Sequence, residues 1–317
     1  MHLPAIIYDL PNEQYHRGDI YKDFISSTQL KKYAVSPKYA KYCLENPIEI
    51  NMEASMKGNV YHSILSSITN TGCMDEFYNE YFVFDPPINH ITGCSYGIET
   101  KKYRDAYEQA ISDNPEKEST SKAEVDLANT MIYELLNNCG STSESVNQLI
   151  QWGKAEISHF CEYEGNKFKF RTDLKTNRKI IDWKTISSAN LHEDTICKQI
   201  IQFGYGISAA FYQFFEHEIT GNWPEFYWVF QQKNPPYDAI IVSAERWAYK
   251  LMDDGSIQKG ISALRFEEFL SCHIECTKKK EYKGAEIFVQ PNYKGRRIMV
   301  ADVPGYEKSK YRAFYND

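Results

Sequence analysis

The chain alternates between two hydrophobic periods, and the switch falls near its middle. Before residue 150 the apolar positions recur at helical spacing. Residues 1–50 read as a short extended start followed by helices. Ser26-Ser27-Thr28-Gln29 has the form of a capping box ahead of Leu30 and Tyr33, and Ser36-Pro37 is a second helix start, because proline suits the first helical turn. A third helix is predicted over 52–68, with Gly58 and His62 four apart on one face. The stretch 69–121 is rich in Asn, Gly, Pro and Ser and reads as loops around a short strand near Tyr81–Phe84. Helical spacing returns over 122–138, where Val125, Leu127, Met131, Leu135 and Leu136 are apolar.

From residue 154 the period becomes two. Ala155–Tyr163, Lys167–Lys175 and Lys179–Thr185 are predicted as consecutive strands, the last two joined as an antiparallel hairpin at Asn177-Arg178. One helix over 193–216 follows, then strands at Glu225–Gln231 and Ala239–Ser243 and a closing helix over 256–280. This order implies an α/β domain with a mixed sheet, one domain with helical additions.

Composition narrows the class. Hydrophobic residues make up 42% and charged residues 25% of 317, which excludes a disordered chain. Aromatics reach 15%, more than a core of this size needs, so some rings are expected at a surface or groove. No apolar run approaches the roughly 18–20 residues of a membrane span, and the N-terminus lacks signal-peptide features, so a cytoplasmic protein is expected. The eight cysteines (43, 73, 94, 139, 161, 197, 272 and 276) lack the spacing of a zinc or iron–sulfur site and read as buried structural thiols. The net charge of −7 is unevenly spread: residues 271–317 carry ten basic against six acidic side chains, a basic end on an acidic body that could hold a polyanion.

The hairpin carries the candidate chemistry. In Ile180-Ile181-Asp182-Trp183-Lys184-Thr185, alternation puts Asp182 and Lys184 on one face and Trp183 on the other, and a short hairpin can bring Asp173 beside Asp182. Two readings fit. Asp173 caps the hairpin and Asp182–Lys184 is an exposed pair, worth under about 1 kcal/mol. Or the two carboxylates, which repel unless protonated or bridged, share a hard divalent ion, with Lys184 favouring an anionic substrate. The apolar Ile180-Ile181 run leading into Asp182 favours the second, since it ends a buried strand rather than a solvated one. Glu156 opens the first strand, and His62 fits either a structural role or the site, where Gly58 would let its helix approach the sheet. Gln202, Tyr205, Ser208 and Tyr212 form one stripe of the later helix, either ordinary amphipathic positions or contacts to a nucleic-acid backbone.

Gly58-x-x-x-His62, Glu156, Arg171-x-Asp173, Asp182-x-Lys184 and Tyr205…Ala210-Phe211-Tyr212, in this order, resemble the RecE-type exonucleases (exonuclease VIII family) of the PD-(D/E)XK nuclease superfamily. Ile25–Leu30 with Ser36-Pro37, and Phe226–Phe230 with Pro235-Pro236-Tyr237, resemble flanking parts of that family, so the similarity spans roughly residues 8–285. It implies a restriction-endonuclease-like α/β core, a central mixed sheet flanked by helices. It implies a single domain over 1–285, with a helical part (1–150) and a catalytic core (151–285); the basic extension (286–317) has no counterpart in that family. It also implies a Mg2+-dependent 5′-to-3′ exonuclease on double-stranded DNA ends, with Mn2+ able to substitute, leaving 3′ overhangs for recombination. A toroidal homo-oligomer (trimer or tetramer) and a RecT-type single-strand annealing partner come with it.

Carried over by residue, Asp173 and Asp182 would bind the metal with His62 and the Trp183 carbonyl, Glu156 would lie by the metals or the attacking water, and Lys184 would be the catalytic lysine. Arg171, Gln202, Tyr205, Tyr212 and the basic Lys278, Lys279 and Lys280 are the candidate DNA contacts. Many members of the family have Gln where Ser208 stands. Competing readings are an endonuclease on the same core, or a DNA-end-binding module that has lost the chemistry. An iron–sulfur nuclease would need a cysteine set that this chain does not supply.

Overall fold

The computed structural model describes residues 5–8, 10–46 and 52–284, with the side chains of Glu13, Arg17 and residues 52–59 left out. The expected role of Gly58 and the basic extension after 285 fall outside what is described. The chain begins with β1 (Ile6–Ile7), α1 (Asn12–Arg17), α2 (Ser27–Leu30), a 3-10 turn (Lys31–Ala34) and α3 (Pro37–Glu45). Next come α4 (Met52–Thr71), α5 (Asp75–Glu80), β2 (Tyr81–Phe84), α6 (Lys101–Asp113), β3 (Glu118–Ser121), α7 (Lys122–Asn137) and α8 (Ser141–Trp152). The rest comprises β4 (Lys154–Tyr163), β5 (Asn166–Lys175), β6 (Lys179–Ile186), α9 (Glu193–Phe203), α10 (Tyr205–Thr220), β7 (Glu225–Gln232), β8 (Ala239–Ser243), β9 (Tyr249–Leu251), β10 (Ile257–Lys259) and α11 (Ile261–Lys279).

The main sheet has six strands in the order β1-β4-β5-β6-β7-β8. Only β6 and β7 run parallel, joined by the α9–α10 crossover that a parallel pair requires. The sheet is therefore mixed and has helices on both faces. On one face Ile180, Phe226, Trp228 and Phe230 pack with Phe211 and Phe215 of α10 and Phe266 of α11. On the other, Leu174, Ile181, Trp183 and Val229 pack with Ile64 and Leu65 of α4 and with Met131 and Leu135 of α7. The alternation predicted for β6 therefore holds, with Ile181 and Trp183 on one side and Ile180 on the other.

The predicted helix starts form as read. The Ser26 N–H donates to Gln29 Oε1 at 2.7 Å, and the Tyr39 N–H donates to Ser36 Oγ at 3.1 Å with Pro37 in the first turn. Three expectations do not survive. The single helix over 193–216 is two helices, broken at Gly204 in the left-handed conformation (φ +61°). The closing helix begins only at Ile261, because β9 and β10 form a ribbon first. Besides the expected strand at Tyr81–Phe84, the segment 69–121 holds α5, α6 and a parallel β2–β3 pair rather than loops; Tyr103 and Tyr107 of α6 pack on Phe84, although none of the residues of α6 is buried. Helix α8 was likewise not anticipated. Of the eight cysteines only Cys276 is buried and Cys94 is exposed, so buried thiols throughout is not what the fold provides. Among the described residues no helix is long and apolar enough to cross a membrane.

Candidate active site

The site grows from a fork in the sheet. Strands β5 and β6 pair over only two positions, Leu174 with Ile181 and Lys175 with Ile180, and then part. Beyond the fork the Trp183 N–H donates to Asp173 Oδ2 at 2.8 Å, so a carboxylate satisfies a donor that a longer ladder would have used. On the other side of β5, the β4 ladder passes from Ala155–Leu174 to Ile157–Thr172 with Glu156 and Asp173 between. Glu156 has φ +55°, a left-handed conformation that costs a non-glycine residue about 1–2 kcal/mol. Strain of this kind persists only where surrounding structure enforces it, and it gathers at functional sites.

Around the fork the predicted residues come together. Lys184 Nζ lies 2.6 Å from Asp182 Oδ2, and it donates to the Trp183 carbonyl at 3.3 Å. The same ammonium stands 5.0 Å from the centre of the Tyr205 ring. His62 Nδ1, reaching in from α4, is 3.7 Å from Asp173 Oδ2. Tyr212 is within electrostatic reach of Asp182 and Asp173, with its hydroxyl bonded to Ser27. Gln202 is exposed at the end of α9.

Arg171 has other employment than the DNA contact expected of it. Its guanidinium donates to Ser158 Oγ at 2.9 Å and the Leu10 carbonyl at 2.8 Å, lies on the Tyr15 ring and sits 3.7 Å from Glu156 Oε2. Only 10% of the side chain is exposed, so it is a counter-ion to Glu156 rather than a hand for phosphate. Lys278, Lys279 and Lys280 are not brought to the site either. Lys278 pairs with Glu164, in the turn at the far end of the β4–β5 hairpin, and Lys279 pairs with Glu275. Seven strand residues, Ile157 to Tyr163, separate Glu164 from Glu156, roughly 25 Å along the strand.

The electrostatics follow from crowding acids in a buried place. Burial raises the Asp182 carboxyl to about 6, with Lys184 pulling it down and Asp173 pushing it up. Burial and the Asp173 charge raise Glu156 to about 8 against the pull of Arg171. Burial opposes the charged form of Lys184, yet Asp182 and Asp173 outweigh it and hold the ammonium above its usual range. His62 is kept neutral down to about 4 by burial and then by Lys184.

Two basic residues at the site were missed in the sequence. Lys31 lies near Lys184 and Asp182, and its ammonium donates to Ser208 Oγ at 3.0 Å and to the Phe203 carbonyl at 3.2 Å. Lys233, after β7, lies within electrostatic reach of His62. No local pattern marks either one, since only the packing of distant segments puts them here.

Asp173 lies between Glu156 and Asp182 and its charge helps to raise the pKa of both, and the Trp183 carbonyl adds a neutral oxygen. These donors suit a hard divalent ion held through one or two carboxylates, with water and substrate phosphate supplying the remaining positions. Among the described residues no three His, Cys, Asp or Glu side chains stand together as a finished cage. Lys184 lies against Asp182 and the Trp183 N–H against Asp173, so an ion held here would complete its shell with water and substrate oxygens rather than with further side chains.

Comparison with known proteins agrees with this geometry. A crystal structure of a provisionally named exonuclease from Eubacterium rectale superposes with a TM-score of 0.50 at 18% identity, covering 95% of this chain and 98% of that one, a likeness of fold. No match was found among curated proteins. The family of PDDEXK-like domains of unknown function (DUF3799) matches residues 26–282, which include every acid and lysine of the fork. With that match, the mixed sheet and the clustered Asp173, Asp182 and Lys184, the chain belongs to this PDDEXK-like family, within the PD-(D/E)XK nuclease superfamily.

Proposed function

We propose that this protein is a divalent-metal-dependent exonuclease that degrades linear double-stranded DNA from its 5′ ends and leaves 3′ single strands. The observation that carries the reading is the fork between β5 and β6, which gathers Asp173, Asp182, Glu156 and Lys184 at one point. The ordered resemblance to RecE-type exonucleases and the provisional description of the Eubacterium rectale protein support the choice of exonuclease.

Asp173, Asp182 and the Trp183 carbonyl would hold the ion, Mg2+ or in its place Mn2+, with Glu156 and His62 at its border. Such an ion supplies Lewis acidity at the scissile phosphate and lowers the pKa of a bound water. Lys184 places a full positive charge where charge develops on the phosphoryl oxygens, and the Tyr205 ring beneath it restrains the ammonium. Glu156 can hold a proton at its carboxyl near neutral pH and so exchange one with the attacking water. On this reading the duplex end threads a trimeric or tetrameric ring, and an annealing protein of RecT type takes up the 3′ strand.

The test is digestion of duplexes labelled at either their 5′ or their 3′ ends, beside a closed circle, with Mg2+ or EDTA. Early release of the 5′ label, an intact circle and silence in EDTA are expected. A cut circle would indicate an endonuclease, and end binding without cleavage a non-catalytic clamp. Asp182→Asn and Lys184→Ala should each lower kcat by at least about 10²-fold while duplex binding persists. Strong residual cleavage in both variants would refute the assignment.

A further inference from the structure

The corner where α9 gives way to α10 carries features that the chemistry of the fork does not use. An ammonium has three donors. Lys31 spends two of them on neutral acceptors, the Phe203 carbonyl and the Ser208 hydroxyl, and among the described residues it forms no ion pair with a carboxylate. The corner holds it there: a Cβ on Gly204 would come within 2.9 Å of Lys31 Cδ. Next to it, Phe203 is 48% exposed. Its inner face stacks on Tyr205 at 5.4 Å and 22°, and Tyr205 in turn carries Lys184 at 5.0 Å. A line of two rings therefore runs from the lysine of the fork to solvent, with an unpaired cation at its side. A cation beside an open aromatic face is what a polynucleotide strand requires, one group for the phosphate and one for the base.

We propose that the α9–α10 corner grips the DNA strand being cut: Lys31 takes a phosphate next to the scissile one, and the outer face of Phe203 stacks on the base of the adjoining nucleotide. This rests on the nuclease reading above and adds to it the residues that position the strand. Lys31 and Phe203 are positioning residues, since neither touches the reacting atoms.

The test measures binding of a fluorescein-labelled duplex with a short 3′ overhang by the full chain, with Ca2+ in place of Mg2+, over a range of salt. Lys31→Met keeps the aliphatic stem over Gly204 and removes the charge. It should weaken binding about tenfold and reduce the slope of log K against log salt by about 0.7–0.9, the signature of one lost phosphate contact. Lys31→Arg should restore most of both. Phe203→Ala should also weaken binding about tenfold, with the salt slope unchanged, because stacking releases no counterion. Phe203→Trp should bind well and show quenching on DNA addition beyond that of the parent. Lys122→Ala, in an exposed pair with Asp126, serves as the control that binds like wild type.

Lys31→Met within about twofold of wild type with an unchanged slope, or no added quenching in Phe203→Trp, overturns the proposal. If wild type cuts DNA and these variants bind normally, the grip alone falls. If wild type binds but does not cut, and both variants bind weakly, the grip stands and the nuclease reading falls. A wild type that neither binds nor cuts removes both.

Discussion

Glu156 combines two unfavourable states in one residue. Its backbone is left-handed inside a strand, and its carboxyl is half-buried beside Asp173. Because the folded pKa is raised, the folded state holds a proton that the unfolded chain has released, so stability contributed by this group is present below the ordinary carboxylate range and lost as pH rises toward about 8. Glu156→Gln keeps the side-chain shape and the backbone strain but removes the charge. In EDTA the variant should match wild type near pH 4 and exceed it increasingly as pH rises toward about 8, read as a gap in Tm that widens with pH. With Mg2+ present the advantage should shrink or reverse, since the ion stabilises only a chain that binds it. A gap that stays constant with pH would mean that Glu156 is not under this pressure. The acids and Lys184 were legible in the sequence because Asp-x-Lys on a strand fixes a shared face. The strain at Glu156 was not, since nothing local demands it.

At the scale of elements, the decisive event is a helix that stops. The apolar period runs on from α9 into α10, so the sequence reads as one helix, and the chain offers two glycines close together, Gly204 and Gly206. They do different things. Gly204 takes φ +61° and turns the chain, while a Cβ on Gly206 would lie 2.3 Å from Ser262 Oγ, so Gly206 lets α11 approach. Gly204→Ala should cost about 1–2 kcal/mol for the left-handed backbone, more if Lys31 cannot move aside, measured by urea unfolding. A neutral result would show that the corner relaxes freely. The fork has the same character. Hairpin β5–β6 was readable from Asn177-Arg178, but not its parting after two pairs, beyond which β6 continues alongside β7 and Asp173 meets the Trp183 N–H.

Across the whole molecule, buried histidines set a pH limit. His273 on α11 accepts or donates one hydrogen bond with the Tyr33 hydroxyl at 2.9 Å, and burial lowers its pKa to about 4. His159 is also held neutral by burial, beside Glu216, which bridges to Lys175 at 3.0 Å and ties α10 to the sheet. A folded pKa below the unfolded one means the unfolded chain binds more protons, so stability is full above about 6.5 and falls as pH drops toward 4. For His273 alone the loss amounts to roughly 3 kcal/mol. His273→Gln should flatten the fall of Tm between pH 6.5 and 4; an unaltered slope would place the limit elsewhere.

Three lysines from distant segments, Lys31, Lys184 and Lys233, stand around the fork, whereas the basic stretch at 278–280 lies elsewhere, with Lys278 and Lys279 paired to Glu164 and Glu275. The sequence alone determined what depends on near neighbours: the capped helix starts at Ser26 and Ser36, the strands of the β4–β6 meander, and the shared face of Asp182 and Lys184. Each of these follows from a repeat of a few residues or a single turn. Tertiary structure decided the rest: the opening of the fork, the strained Glu156, the capture of Arg171 by Leu10 and Glu156, and the arrival of Lys31 and Phe203 at one corner. Those outcomes depend on how separate strands and, for Leu10 with Arg171 and Lys31 with Phe203, far distant segments share space and charge, which no local period encodes.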